Sequence, residues 1–348
     1  VRLEERQGER MKFEDVAILG VAYMEGPERV SSKALEERLA PALRRFGMPR
    51  GILEALSGIK ARRLLGVGQR PSDAAFEAGR LALAKARVSP ERIGVLLNTS
   101  VSRDYVEPST ASVVHGRLGL SRGCINFDVG NACLAFLNGM ELVGNMIERG
   151  QVDYGLVVDG EDSRYVLDQT VARLLSPESS VETFREDFAT LTLGSGGAAM
   201  VLGRASQAPG APRFTGSVAV AATEHNHLCR GVNERMVTDS QGLLVAGVAL
   251  AQETWAEARR ELGWSSEALD ELVMHQVSRV HTQRLTEALG LDPSKVLEIY
   301  SEYGNVGPAS VPIVLSKAME LGRVRPGRRV ALMGIGSGLN CLMAEMQW

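Results

Sequence analysis

Cys133 sits in FDVGNACLAFLNGMELV (127–143), where an apolar run turns through Gly130 and Asn131 into a helix-periodic stretch. A thiol at a helix N-terminus faces unpaired backbone N–H groups and the positive end of the helix dipole, which favours the thiolate and makes it a useful nucleophile. The alternative for a free cysteine is a small buried core residue. His275 ends the strand-like LDELVMH, and Asn305 lies in the Gly-rich turn GNVGP. Together the three side chains are coherent for acyl transfer: a thiolate attacks a thioester carbonyl while imidazole and amide N–H groups hold the oxyanion. Taken singly, His275 reads as a structural histidine and Asn305 as a turn residue tolerant of left-handed φ.

What would bring them together is an internal repeat. IGVLLNTSVSR (93–103) and LDELVMHQVSR (269–279) end in the same tripeptide, and each is followed by a helix-like stretch closing on LGL, at 118–120 and 289–291. The first copy is longer by five residues in the part that includes DYVEP, and an insertion in one copy usually carries something specific. Residues 133–160 match 305–334 as helix, Gly-containing turn and buried strand; aligning Gly150 with Gly322 sets Cys133 opposite Asn305. Upstream, 13–26 pairs with 215–231 and 72–87 with 243–262.

RASQAPGAPR (204–213) reads as the linker between two β/α halves, 11–203 and 204–348. Near-continuous apolar strands such as YGLVVDG, AAMVL and RVALMG imply α/β architecture with helices on both sheet faces. Two such halves back to back predict a five-layered α/β/α/β/α fold. Helices 133–149 and 308–321 form its central layer, with their N-termini at a shared cleft.

The 348 residues, 45% apolar and 23% charged, suffice for a large core. A net charge of −3 without a Lys/Arg block argues against nucleic acid as partner, and no apolar run is long enough to span a membrane. Four widely spaced cysteines (124, 133, 229, 341) without a CxxC pair fit free thiols in a reducing cytoplasm. VRLEERQGER (1–10) is charged and aperiodic and reads as a frayed extension. A strand over HNHLC (225–229) would put 225, 227 and 229 on one face, but no complementary pair lies nearby, so no metal is expected.

NACLAF (131–136), HQVSRVH (275–281), YGNVGPAS (303–310) and MGIGSGL (333–339) resemble thiolase-superfamily condensing enzymes of the ketoacyl-ACP synthase III branch, over about residues 11–348. Within that branch SRDYVEPSTAS (102–112), FDVGNACLAF (127–136), LCRG…RMVTD (228–239) and GNVGPASVPIVLSK (304–317) resemble the enzymes that join two fatty acyl-CoA molecules head to head. The resemblance implies a homodimer in which Cys133 is acylated and His275 and Asn305 form an oxyanion site. It implies a second oxyanion hole at the Cys133 and Ser337 backbone N–H groups. The product it implies is a 2-alkyl-3-keto acid feeding hydrocarbon formation by downstream enzymes. Coenzyme A enters as substrate, and no cofactor is implied.

Glu107 separates the alternatives. A synthase that decarboxylates malonyl-ACP makes its carbanion by losing carbon dioxide, whereas joining two plain acyl thioesters requires removal of an α-proton. Glu107 lies in the insertion of the first repeat and is the candidate base, which the resemblance implies reaches across the dimer; otherwise it is a solvated loop carboxylate. Degradative and biosynthetic thiolases place a second cysteine before a C-terminal Gly-rich loop. Here Cys341 follows that loop and reads as core packing. The remaining alternatives are a malonyl-ACP-dependent synthase III and a non-catalytic thiolase-fold scaffold. Among Arg62, Arg63 and Arg279 the coenzyme A contacts stay unassigned.

Overall fold

The computed structural model describes residues 10–348, so the extension read over 1–10 lies outside the described residues except for Arg10. The first half contains β1 (Arg10–Lys12), β2 (Val16–Glu25), β3 (Glu28–Ser31), α1 (Ser32–Arg45), α2 (Ile52–Ser57), β4 (Ala61–Leu64) and α3 (Pro71–Ala86). It continues with β5 (Val95–Asn98), α4 (Thr110–Leu118), β6 (Ile125–Asp128), α5 (Ala135–Glu148), β7 (Tyr154–Glu161), α6 (Arg164–Leu175), α7 (Val181–Asp187) and β8 (Gly196–Arg204). The second half has β9 (Arg213–Ala221), β10 (Cys229–Val232), β11 (Arg235–Thr238), α8 (Ser240–Glu261), β12 (Glu271–Met274) and α9 (Arg279–Leu289). It ends with α10 (Tyr300–Tyr303), α11 (Ser310–Glu320), β13 (Arg329–Gly336) and β14 (Asn340–Gln347).

Strand order repeats. The first sheet runs β6-β5-β7-β8-β2 and the second β12-β13-β14-β9. In each, the opening strand pairs antiparallel with the closing one, which pairs antiparallel with the strand after the central helix, and that strand pairs parallel with the next. β6 extends the first sheet in parallel; the matching place in the second holds only a single parallel bridge, Leu272 to Val296. The two sheets also touch edge to edge through Ala17 and Arg213, which makes one ten-stranded ladder.

Side-chain alternation builds the layers. Val330 and Leu332 of β13 enter the central core, while Ala331 and Met333 pack outward under α8 and α9. Likewise Val157 of β7 points inward and Leu156 and Val158 meet α3 and α4. The central core holds Phe136, Met140 and Val143 of α5 with Val311, Val314 and Ala318 of α11 between strands of both sheets, giving the five layers expected. Helices apolar on nearly every side are stable only where both faces are covered. A further apolar cluster joins α1, α2, α6 and α7 into a cap that the sequence did not announce. It is tied to the Asn305 segment by Lys60 N–H to Ser301 O at 2.9 Å and Ser195 N–H to Arg63 O at 2.7 Å. Among the described residues no helix is long and apolar enough to cross a membrane.

Candidate active site

Cys133 does not lie in the first turn of α5. The helix begins at Ala135 with Leu134 as its cap, so the thiol stands in the sharp turn just before it. Ala132 makes that turn at φ 45°, a left-handed conformation that costs a residue with a β-carbon roughly 1–2 kcal/mol. The turn is held by Leu134 N–H to Asn131 O at 3.0 Å, and Asn131 is fixed by Asn138 at 2.8 Å and Asn340 at 3.3 Å. β13 ends against it: a Cβ on Gly336 would stand 2.9 Å from Asn131 O and 3.2 Å from Leu134 N. Only glycine permits this approach, and it sets the next residue, Ser337, beside the cysteine turn.

His275 follows β12 and is buried, its N–H bonded to Met333 O at 2.8 Å. Asn305 is held through its backbone, donating to Thr192 O at 2.9 Å and accepting from Gly194 N–H at 2.8 Å. Gly304, at φ 69°, allows the chain to pass Thr192 O, which a Cβ would approach to 2.6 Å. Asn305 Oδ1 accepts the Gly307 N–H at 3.0 Å and lies 3.2 Å from His275 Nε2. A backbone N–H can only donate, so the amide oxygen is fixed there and Nε2 must carry the ring proton. Nδ1 is left buried and unpartnered. Burial, opposed by the bond to Asn305, holds the His275 pKa down to about 4, so the ring is neutral near pH 7. Its Nε2–H and the Asn305 Nδ2 hydrogens are donors an incoming oxyanion can recruit.

The electrostatics around Cys133 reverse the sequence expectation. Burial first, then the carboxylate of Glu161, Cys229 and Asp159, push the thiol up to about 12. Burial, with the two carboxyl groups added to it, outweighs the dipole of a helix that starts two residues further on. Burial raises both Asp159 and Glu161, at the end of β7, above the usual carboxylate range, with Glu161 adding to it at Asp159 and Asp162 adding to it at Glu161. Glu161 is anchored nonetheless: Oε1 accepts the Val101 N–H at 2.6 Å, and Oε2 accepts the Ser102 hydroxyl at 2.7 Å and N–H at 3.2 Å. A Cβ on Gly307 would lie 3.7 Å from the Glu161 carboxyl carbon. Sequence reasoning missed this pair; the only signal was two acids closing an otherwise apolar strand.

Glu107 is not brought to Cys133 within its own chain. The loop 101–109 is pinned by Glu161, by Asp104 accepting from Ser72 N–H at 3.0 Å and its hydroxyl at 2.6 Å, and by Tyr105 against Arg70. Its far end is fixed where Asp128 accepts the Thr110 and Ala111 N–H groups at 3.1 and 2.8 Å. Val106 and Glu107 form the exposed tip, and Glu107 has no hydrogen-bond or ion-pair partner among the described residues. HNHLC runs through a 3-10 turn, Thr223–His225, before β10 opens at Cys229, so it does not form the strand face considered from sequence. Among the described residues no set of three His, Cys, Asp or Glu side chains is grouped to hold a metal. Cys341 packs in the outer core under α8. Arg62 is buried against Ser32 and Leu191 O, while Arg279 is exposed and reaches Ala55 O.

A duplicated five-layered fold with a cysteine before one central helix and a His–Asn pair beside the other defines a thiolase-like condensing enzyme. The comparisons agree. The 3-oxoacyl-[acyl-carrier-protein] synthase III profile matches residues 127–219, and its C-terminal profile matches 260–348. An acyl-CoA:acyl-CoA alkyltransferase of Xanthomonas campestris pv. campestris is 53% identical over 338 residues, 97% of this chain and 100% of the relative. One of Shewanella oneidensis is 37% identical over 350 positions, with 97% and 100% covered. Cerulenin-bound OleA of Xanthomonas campestris superposes with a TM-score of 0.96 at 53% identity, covering 97% of this chain and 98% of that one. A cysteine-to-serine variant of that OleA, solved with lauric acid and lauroyl-CoA, gives 0.95 at 53% identity, covering 97% and 100%. The chain belongs to the acyl-CoA:acyl-CoA alkyltransferase family, the OleA enzymes.

Proposed function

We propose that this chain joins two long-chain fatty acyl-CoA molecules by non-decarboxylative Claisen condensation, with Cys133 as acyl carrier and Glu107 of a partner subunit as base. The Cys133 sulfur attacks the first thioester carbonyl, the carbon–sulfur bond to coenzyme A breaks, and the thiol proton leaves with coenzyme A. The Cys133 and Ser337 backbone N–H groups hold that step's oxyanion. Glu107 then takes an α-proton from the second acyl-CoA, whose enolate oxygen is held by His275 Nε2–H and Asn305 Nδ2. The α-carbon attacks the acyl-enzyme, releasing the Cys133 thiolate, which recovers the proton from Glu107. Hydrolysis of the resulting thioester gives a 2-alkyl-3-keto acid for downstream hydrocarbon-forming enzymes in the cytoplasm.

The observation that carries the base assignment is the pinned loop with an unpartnered tip. Val101, Tyr105 and Val106 are exposed on it, and Ile125 and Phe127 are exposed on β6, the free edge of the first sheet. Such an apolar, unpaired edge beside a projecting loop fits burial against a second copy. The homodimer and the two halves 11–203 and 204–348 belong to the same proposal. The purified protein given one acyl-CoA and no malonyl donor should release coenzyme A and form a β-keto acid. Condensation seen only with malonyl-ACP would overturn the proposal in favour of a decarboxylating synthase.

A further inference from the structure

Both carboxyl oxygens of Glu161 accept hydrogen bonds from one short segment. Three hydrogen bonds, at 2.6, 2.7 and 3.2 Å, run from Val101 and Ser102 into its carboxyl group, and the Ser102 hydroxyl bridges on to Asp162 O at 3.1 Å. That segment is the root of the Glu107 loop. On its other side the same carboxyl group lies against Gly307, the residue whose N–H fixes Asn305 Oδ1, and it is near enough to Cys133 to oppose the thiolate. Burying an acid here is unfavourable unless its oxygens are filled, and the loop root fills them. The other loop anchors, Asp104 to Ser72 and Asp128 to Thr110 and Ala111, are hydrogen bonds to residues other than Cys133, His275 and Asn305.

We infer that Glu161 is a positioning residue for condensation, joining the root of the loop that presents Glu107 to the floor formed by Gly307 and Cys133. In a dimer whose loops cross, each Glu161 rests on its own site and holds the base that serves the other. The inference rests on Glu107 being the base. Loosening the loop root moves the base without moving Cys133, and misplacement on the order of 1 Å costs about 100-fold in a proton-transfer geometry.

The test separates the two half-reactions in the full-length protein. Acylation of Cys133 is read by mass spectrometry after brief exposure to one acyl-CoA, and condensation by β-keto acid formation. Glu161→Gln keeps one acceptor oxygen and removes a charge that opposes the Cys133 thiolate, so acylation should hold or rise while condensation falls by about tenfold to 100-fold. Ser102→Ala, which removes the hydroxyl's bonds to Glu161 and Asp162 and keeps the two N–H bonds, should give a smaller loss in the same step. In a Glu107→Gln background, Glu161→Gln should add nothing further, because both act through one group. Condensation lost in Glu107→Gln but retained in Glu161→Gln and Ser102→Ala would overturn the inference alone, as would additive losses or acylation and condensation falling together. Condensation retained in Glu107→Gln would overturn the base assignment and this inference with it.

Discussion

His275 Nε2 lies 3.2 Å from Asn305 Oδ1, an oxygen that the Gly307 N–H already fixes at 3.0 Å. The amide oxygen is therefore occupied by both N–H groups, and the Asn305 Nδ2 hydrogens are left as donors for an incoming oxyanion. Asn305→Asp keeps an acceptor for Gly307 but replaces the amide donor by a negative charge. Condensation should fall by about 100- to 1,000-fold, as for loss of an oxyanion donor, and His275→Ala should fall similarly. Steady-state turnover of a single acyl-CoA reads both, and activity near the parental level in either variant would remove the pair from the mechanism.

Cys133 is held neutral by burial and by the Glu161 and Asp159 carboxyl groups, its pKa pushed up to about 12. Raised pKa means that the thiolate fraction still grows with pH well above neutrality. Alkylation of the resting protein by iodoacetamide should accelerate steadily past about pH 9 instead of levelling near pH 7. Peptide mapping assigns the adduct. A plateau near neutrality would mean a thiolate already stabilised in the resting site.

Under the proposed dimer, crossing loops make a genetic experiment in the test tube. Cys133→Ala and Glu107→Gln should each lack condensation, yet a mixed dimer places an intact cysteine opposite an intact glutamate in one of its two sites. Co-expressed at equal levels, the variants should recover about a quarter of parental activity, since half the dimers are mixed and each has one working site. No recovery in isolated mixed dimers would show that Glu107 does not work in the partner's site.

Buried imidazole couples the fold to acid. His281, in the first turn of α9, has its pKa pushed down to about 3 by burial, with His275 adding to it. As pH falls below 6.5 the unfolded chain binds this proton and the native chain does not, so stability declines with pH across that window. His281→Asn should reduce the stability lost between about pH 7 and pH 5, measured by denaturant unfolding, by about 1–2 kcal/mol. An unchanged loss would place the acid sensitivity elsewhere, for example at His275.

The repeat was legible because it is written in local pattern: the VSR tripeptides, the LGL helix ends and the two largely apolar helices need no tertiary information. Cys133, His275 and Asn305 followed from that frame, together with family-like motifs. The cap of α1, α2, α6 and α7 stayed hidden because an amphipathic stretch such as 32–45 declares a buried face without saying what covers it. Glu161 was invisible for a related reason. Its partners Val101 and Ser102 lie about sixty residues away in sequence, and only the parallel pairing of β5 with β7 puts them in reach. The thiol was misjudged because its charge balance depends on those same acids and on a helix that starts two residues late.

The repeated strand order has a consequence for how such chemistry could arise. Cys133 precedes α5 and Asn305 precedes α11, so the proposed nucleophile and the proposed oxyanion amide occupy corresponding stations of two like halves. An ancestor assembled from two identical polypeptides would present one residue type at both stations, two thiols or two amides face to face. Fusion into a single gene would free the two stations to differ. It is the divergence of the halves, more than their symmetry, that lets an acyl group be carried on one side and its charge be borne on the other.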